Sequence, residues 1–107
     1  MNYPNFPESE AFSILRNIES YGTQKSLADS IGYSVGKVNY ILKALKDKGL
    51  LKCENFINSK NKKGYRYLLT EEGFKQKLAL TEKFVQTKKK EYEELQRELE
   101  QMRRKND

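Results

Sequence analysis

The 107-residue sequence predicts a mainly α-helical fold with one small β-hairpin and a long C-terminal helix. Apolar residues recur at helical spacing through the first half of the chain. Two strand-like segments then flank a polar, lysine-rich stretch, and a heptad pattern follows them toward the end of the chain. These three observations predict a compact head over residues 1–73 and a C-terminal helix over residues 74–107.

The first two helices are predicted from apolar spacing and capping residues. Over residues 8–20, four apolar residues follow the i, i+3, i+4, i+7 spacing of one buried helical face. A second, shorter helix is expected at about residues 24–31. The Thr23 hydroxyl suits its N-cap, and Gly32 suits the left-handed conformation that follows a last helical turn.

A third helix is predicted after Ser34, whose hydroxyl caps it, and before Gly49, which ends it. Lysines in its last turn suit the negative end of the helix dipole. The residues predicted to be buried on this helix are Val38, Ile41, Leu42 and Leu45. Because a tight turn joins the two short helices, the second and third helices predict a helix-turn-helix motif.

The segments LLKCENFI and YRYLLT are strand-like, and NSKNKKG between them is polar and ends in glycine. We therefore expect a β-hairpin with a long basic tip, which is the wing of a winged helix-turn-helix. Phe56, Tyr65 and Tyr67 alternate along the hairpin, and this favours packing in the sheet and core over stacking on bases. Thr70 is predicted to cap the last helix, which extends to about residue 104.

The composition argues against an enzyme. Histidine is absent, and it is the usual general base and a common zinc ligand, so we expect no catalytic site, metal site or cofactor. No apolar run approaches the roughly 20 residues of a spanning helix. The N-terminus also lacks the pattern of a secretory signal, so a cytoplasmic protein without membrane contact is predicted. The single cysteine, Cys53, fits a reducing compartment, and its apolar neighbours favour a buried structural thiol over an oxidation sensor.

Positive charge is concentrated in the middle of the chain, whose formal net charge is +6. Residues 1–33 carry two Lys/Arg and four Asp/Glu. Residues 34–48 carry four and one, and residues 52–66 carry five and one. A localised basic region is typical of proteins that bind a polyanion, although charge alone also fits an ordinary solvated surface.

In a helix-turn-helix, the second helix of the pair enters the major groove of DNA, and its outward face contacts the bases. Asn39 offers a donor and an acceptor to adenine, Lys37 reaches guanine acceptors or a phosphate, and the Val35 methyls meet a thymine methyl. Gly36 weakens the helix by about 1 kcal/mol relative to alanine. Two explanations of a glycine here stay open: the helix approaches the duplex closely at this point, or the residue at this position is neutral for function. The predicted DNA-reading residues are Ser34, Val35, Gly36, Lys37, Asn39, Tyr40 and Lys43.

Two further groups are predicted to contact the DNA backbone. The start of the second helix presents free amide groups and the positive end of its dipole, which suits a phosphate held by Thr23, Gln24 and Lys25. The wing has a composition suited to phosphates or the minor groove. Its predicted DNA-contacting residues are Asn58, Ser59, Lys60, Asn61, Lys62, Lys63 and Arg66.

Positions that alternate spacings of four and three from Phe74 to Met102 form a heptad seam, interrupted by Lys88. The head cannot cover so long a stripe, so we expect a homodimer through it, although a solvated single helix is the alternative. The predicted dimerisation residues are Leu78, Val85, Tyr92, Leu95, Leu99 and Met102. The stretch from Phe74 to Val85 is also expected to supply part of the head's core. Charges beside the seam leave parallel or antiparallel pairing open.

The stretch SIGYSVGKVNYILKALKDKGLLKCENFINSKNKKGYRYLLTEEG resembles the MarR-type winged-helix regulators, and most of all the subgroup of EPS-associated transcriptional regulators. The likeness extends from about Thr23 through the terminal helix. It implies a dimeric DNA-binding regulator encoded near exopolysaccharide biosynthesis genes. Typical MarR proteins have a long N-terminal helix and paired terminal helices, which this sequence lacks, so a small-molecule effector stays unknown.

Together these features predict a sequence-specific, double-stranded-DNA-binding transcriptional regulator. Two alternatives remain open. The first is an architectural or replication-type DNA-binding protein with weak sequence preference. The second is a coiled-coil adaptor whose terminal helix pairs with a different protein. Salt-dependent but sequence-indifferent DNA binding distinguishes the first alternative, and stable hetero-association without duplex binding distinguishes the second.

Overall fold

The computed structural model describes residues 5–57 and 63–106. The predicted mainly helical fold with one β-hairpin is confirmed. The elements in chain order are α1 (Glu8–Asn17), α2 (Gln24–Ile31), α3 (Val35–Asp47), β1 (Leu51–Ile57), β2 (Lys63–Leu69) and α4 (Glu71–Lys105). The chain divides into two compact units, Met1–Lys77 and Leu78–Asp107. None of the helices described is long and apolar enough to span a membrane.

Helix α1 is three residues shorter than the sequence predicts. The last helical bond is donated by the Ile18 N–H to the Ile14 carbonyl oxygen at 2.9 Å. The Ser20 N–H instead bonds the Asn17 carbonyl oxygen, three residues back, at 3.0 Å. The chain therefore turns at residues 18–20 and enters the loop that leads to α2.

Helix α2 has the predicted caps at both ends. The Thr23 hydroxyl accepts a hydrogen bond from the Ser26 N–H at 3.0 Å, and the Ser26 hydroxyl accepts one from the Thr23 N–H at 3.2 Å. This reciprocal capping box satisfies two donors that a helix start leaves unpaired. At the other end, Gly32 has φ +77°, a conformation that side chains with a Cβ rarely adopt.

Helix α3 is likewise confirmed at both ends. The Ser34 hydroxyl accepts from the Lys37 N–H at 3.1 Å. At the C-terminus, Gly49 has φ +78°, and the Leu50 N–H bonds back to the Leu45 carbonyl oxygen at 3.0 Å, as in a Schellman motif. The left-handed glycine turns the chain sharply, so β1 begins two residues later.

The core of unit Met1–Lys77 is formed by apolar side chains of α1, α2, α3 and the start of β1. The predicted buried stripe of α3 is confirmed, since all four of its members are fully buried. The buried core residues of this unit are Phe6, Ala11, Ile14, Leu15, Ile18, Leu27, Ala28, Val38, Ile41, Leu42, Leu45, Leu50 and Leu51.

The two ends of the stretch from Phe74 to Val85 do not contribute to a core, because both side chains are more than half exposed. The buried apolar residue of this stretch is Leu80, which is only 3% exposed. Leu80 follows Phe74 by six residues and so projects from a different side of the helix. The heptad stripe and the buried side of α4 are therefore different faces.

The hairpin pairs β1 and β2 as antiparallel strands, in a register from Leu51 opposite Leu69 to Ile57 opposite Lys63. Strand β2 thus begins two residues earlier than predicted. At its end, the Thr70 hydroxyl accepts from the Gly73 N–H at 3.0 Å, as predicted for a cap, and also donates to the Gly49 carbonyl oxygen at 2.6 Å.

Gly73 is required by this close packing. A Cβ atom built at Gly73 would collide with the Leu50 carbonyl oxygen, an overlap that no side chain tolerates. The absence of a side chain therefore lets the first turn of α4 pack against the end of the α3–β1 connection. The Thr70 N–H donates to the same Leu50 oxygen at 3.1 Å, which holds this arrangement in place.

Two expectations about side chains of the hairpin are wrong. The sequence predicts that Tyr65 packs in the sheet and core, but its side chain is 71% exposed. Cys53 is predicted to be buried and is half-buried, opposite the half-buried Tyr67. Burial raises the pKa of Tyr67 above its usual value of 10.0, and the nearby Cys53 raises it further. The side chain of Phe56 lies outside the described part of the chain.

Candidate nucleic-acid interface

The rotation of α3 about its own axis is set by its buried stripe. Val38, Ile41, Leu42 and Leu45 are fully buried in the core, which leaves the opposite side of the helix in solvent. On that opposite side, Gly36, Tyr40 and Lys43 follow one another at the i, i+4 and i+7 spacing of a single helical face. The structure therefore brings three of the predicted DNA-reading residues together on one line.

The other predicted reading residues flank this central line. Val35 is 46% exposed at the start of the helix, and Asn39 is half-buried beside it. Ser34 is exposed, but its hydroxyl is engaged as the helix cap. Val35 and Asn39 lie on one flank of the central line, and Lys37 lies on the other.

Lys37 is held by two side chains within the protein. Its Nζ lies 2.5 Å from Oε2 of Glu10 on α1, and 4.5 Å from the centroid of the Tyr33 ring. A cation over an aromatic face is attracted by the negative charge of the ring's π system. The ammonium of Lys37 is thus directed toward α1 and the α2–α3 turn.

Tyr40 also contacts a residue that precedes the helix-turn-helix. Its ring meets that of Phe6 edge to face, with centroids 6.1 Å apart and planes at 85°. Phe6 is buried, whereas about half of Tyr40 remains exposed. This contact limits the movement of the Tyr40 ring and leaves part of it accessible to a partner. Sequence patterns do not identify Phe6, Glu10 or Tyr33 as neighbours of the outward face.

The start of α2 retains the features predicted for phosphate binding. The Thr23 hydroxyl is taken by the capping box, whereas Gln24 and Lys25 occupy the first positions of the helix, where backbone amides lack intrahelical acceptors. Lys25 is exposed and Gln24 is half-buried. A crevice of about 50 Å³ adjoins this helix start, and Tyr65 and Arg66 of β2 line its other side.

The wing is described only in part. The predicted DNA-contacting residues Asn58, Ser59, Lys60, Asn61 and Lys62 lie outside the described residues, as does the side chain of Lys63. Arg66 is exposed, and its guanidinium lies 3.4 Å from a carboxylate oxygen of Glu54 on β1. Exposed ion pairs of this kind contribute little to stability, so Arg66 remains suited to exchange this carboxylate for a phosphate.

Residues 22–52, from the α1–α2 loop to the start of β1, match the sequence family described as winged helix-turn-helix DNA-binding. The hairpin follows this segment directly. This is a winged helix-turn-helix fold. No curated protein matches the chain significantly.

Two solved structures share the winged helix-turn-helix fold. The PcaV transcriptional regulator from Streptomyces coelicolor, solved with its natural ligand, superposes with a TM-score of 0.60 at 15% identity, over 77% of this chain and 58% of PcaV. MepR from S. aureus, solved as a DNA complex, superposes with a TM-score of 0.62 at 17% identity, over 80% of this chain and 62% of MepR. The matched part thus spans about three fifths of either regulator.

PcaV and MepR are MarR-family regulators, so the predicted MarR-type resemblance is confirmed at the level of the winged helix-turn-helix fold. The narrower resemblance to EPS-associated regulators stays a prediction.

Unit Leu78–Asp107 carries the predicted heptad seam on its surface. The seam residues, each between 46% and 64% exposed, are Leu78, Val85, Tyr92, Leu95, Leu99 and Met102. Lys88, which interrupts the seam, lies 3.5 Å from Glu91 on the same helix. A winged helix-turn-helix with so long an apolar stripe in solvent presents a surface suited to association with another helix.

Proposed function

We propose that this chain is a sequence-specific transcriptional regulator that binds double-stranded DNA as a homodimer. The observation that carries the proposal is the placement of Gly36, Tyr40 and Lys43 on the exposed side of α3, opposite a fully buried apolar stripe. This is the helix that enters the major groove in helix-turn-helix proteins. The reading side chains proposed are Asn39 and Tyr40, with Val35 at the start of the helix, whereas Lys43 on the same face is proposed to contact a phosphate.

The neighbouring elements supply contacts that do not depend on sequence. Lys25 and the free amides at the start of α2 suit one phosphate, and Arg66 suits another. The lysines of the wing tip, Lys60, Lys62 and Lys63, are proposed as further phosphate contacts. Contacts of this kind set the position of the protein on the duplex, whereas the outward face of α3 sets its sequence preference.

A second copy of the chain is the proposed partner of the α4 seam. Six large apolar side chains stand roughly half exposed along one stripe, and a heptad repeat is the pattern that two helices cover mutually. A two-fold dimer presents two α3 helices, so an inverted-repeat operator is expected.

We further propose a role in binding rather than catalysis, and a cytoplasmic location. The binding role rests on the absence of histidine, and the location rests on the winged helix-turn-helix DNA-binding match, since the chain must reach DNA. Regulation of exopolysaccharide genes is implied by resemblance alone and stays a prediction.

The experiment that tests the function is selection of bound fragments from random duplex DNA by the full chain. Recovery of one inverted-repeat motif, bound at least 10³-fold more tightly than random duplex, is expected for a specific regulator. Binding that depends on salt but recovers no motif would instead indicate an architectural protein. Absence of duplex binding would contradict the proposal and favour an adaptor.

Gly36 provides a test of how closely α3 approaches DNA. Apart from its two chain neighbours and the nearby backbone of its own helix, nothing in the described part of the protein lies within 4 Å of a Cβ built at Gly36. Gly36→Ala is therefore expected to stabilise the fold by about 0.5–1 kcal/mol. The same methyl group should weaken duplex binding by about 1–3 kcal/mol, because it occupies space at a packed interface.

Thermal unfolding and duplex titration of the same Gly36→Ala sample measure the two effects. Gly73→Ala is the matched control, since its Cβ meets the Leu50 carbonyl and should destabilise the fold. If Gly36→Ala binds DNA as tightly as the parent chain, the helix does not approach the duplex at this point.

A further inference from the structure

Lys37 and Lys43 lie on the same helix, about one and two-thirds turns apart, in different electrostatic surroundings. The Lys37 ammonium lies 2.5 Å from the Glu10 carboxylate, whose side chain is only 16% exposed. Among the described residues, Lys43 has no ion-pair partner, and its side chain is exposed. The two lysines thus carry the same formal charge but differ in how much of it is available to a partner.

The Glu10 contact is harder to replace than an ordinary surface ion pair. Glu10 is largely shielded from water, so withdrawal of Lys37 would leave a poorly solvated carboxylate without its cation. The Tyr33 ring, 4.5 Å from the same Nζ, adds a second attraction in the same direction. Lys37 therefore loses two favourable interactions if it extends toward a phosphate.

We propose that Glu10 is a specificity-determining residue that acts through Lys37. By neutralising this lysine, Glu10 removes one positive charge from the sequence-independent attraction between the outward face of α3 and the DNA backbone. Electrostatic attraction of the whole protein to the DNA backbone accounts for nearly all binding to random duplex. Its reduction raises the ratio of specific to random binding, while the reading contacts of Asn39 and Tyr40 remain. The inference rests on the proposed DNA-binding function.

The contact between Phe6 and Tyr40 also favours specific binding over random binding. Phe6 packs edge to face on Tyr40, so Phe6 just before α1 and Glu10 on α1 each hold one side chain of α3. A restrained side chain loses less conformational entropy on binding, and it fits fewer base sequences. Phe6 is a positioning residue in this arrangement, since it acts on DNA only through Tyr40.

Four variants of the full chain test the role of Glu10, by the slope of log affinity against log salt on random duplex. This slope is negative, and each phosphate contact makes it steeper by about 0.9. Lys43→Met is expected to make the slope shallower by about 0.9, whereas Lys37→Met should leave it unchanged. Glu10→Gln releases Lys37, so the slope should become steeper by about 0.9, and random duplex should bind several-fold more tightly. Adding Lys37→Met to Glu10→Gln should abolish this increase in steepness.

Glu93→Gln on α4 is the matched control, because it removes one negative charge from an exposed position and should leave the slope unchanged. Equal losses of slope for Lys37→Met and Lys43→Met would overturn the inference, since Lys37 would then contact a phosphate with Glu10 in place. An unchanged slope for Glu10→Gln would also overturn it. A parent chain that binds no duplex would instead overturn the proposed function, and this inference with it.

Discussion

Replacement of both Leu95 and Leu99 by glutamate is expected to convert the protein from a dimer to a monomer. The two side chains are exposed in the single chain and lie on the heptad seam, where a paired helix would bury them. Four added carboxylates in one dimer would have to be desolvated there without partners, at a cost of several kcal/mol per buried charge. Sedimentation equilibrium of the full chain and the variant at micromolar concentration measures this change.

The same variant should bind a two-site operator roughly 10²–10⁴-fold more weakly, because two linked heads gain from avidity and a single head does not. The α3 surface is unchanged, so affinity for one isolated half-site should remain. Arg97→Gln combined with Gln101→Glu is the matched control, since it changes the charge by the same amount at helix positions off the seam. A parent chain that stays monomeric at tens of micromolar and binds one half-site as tightly as the whole operator would contradict the dimer.

Asn39→Ala and Tyr40→Ala are expected to weaken binding to the preferred site by about 1–3 kcal/mol each, and to leave random-duplex binding nearly unchanged. The reason is geometric, because both side chains lie on or beside the solvent-facing side of α3, where base edges are read. Competitive titration of the selected motif against random duplex measures the two affinities.

Tyr40→Phe separates two roles of the tyrosine. It keeps the ring that packs on Phe6 and removes only the hydroxyl. A loss of specific binding in Tyr40→Phe as large as in Tyr40→Ala would indicate a hydrogen bond from the hydroxyl to DNA, whereas little or no loss would indicate apolar contact by the ring. If Asn39→Ala weakens specific and random binding equally, Asn39 contacts the backbone and direct base reading by this residue is wrong.

The ends of α2 and α3, and the buried face of α3, are determined by the sequence itself. Thr23 and Ser34 cap their helices through bonds to residues three positions on, and Gly32 and Gly49 end them through positive φ angles. These interactions are local, so the residue types and their spacing specify them. The outward face of α3 follows from the buried one, which explains why periodicity alone places Tyr40 and Lys43 on it.

The face of α4 that is buried is decided only by tertiary packing. The segment carries apolar residues on more than one side, including the heptad stripe and Leu80. Periodicity cannot distinguish a face that packs within the chain from one that remains in solvent. Sequence reasoning therefore assigns the whole stretch from Phe74 to Val85 to the core, whereas in the structure Leu80 is buried and both ends of the stretch are exposed.

The surroundings of the candidate site are also decided by the tertiary structure. Glu10 and Lys37 come from separate helices, and Phe6 and Tyr40 are likewise far apart in the sequence. No spacing rule links such pairs, because their contact depends on how α1 packs against α3. The exposure of Tyr65 has the same origin, since the alternation of a strand defines its two faces but not which face another element covers. Local hydrogen bonding and periodicity are written in the sequence, whereas the neighbours of an outward-facing side chain exist only once the helices have packed.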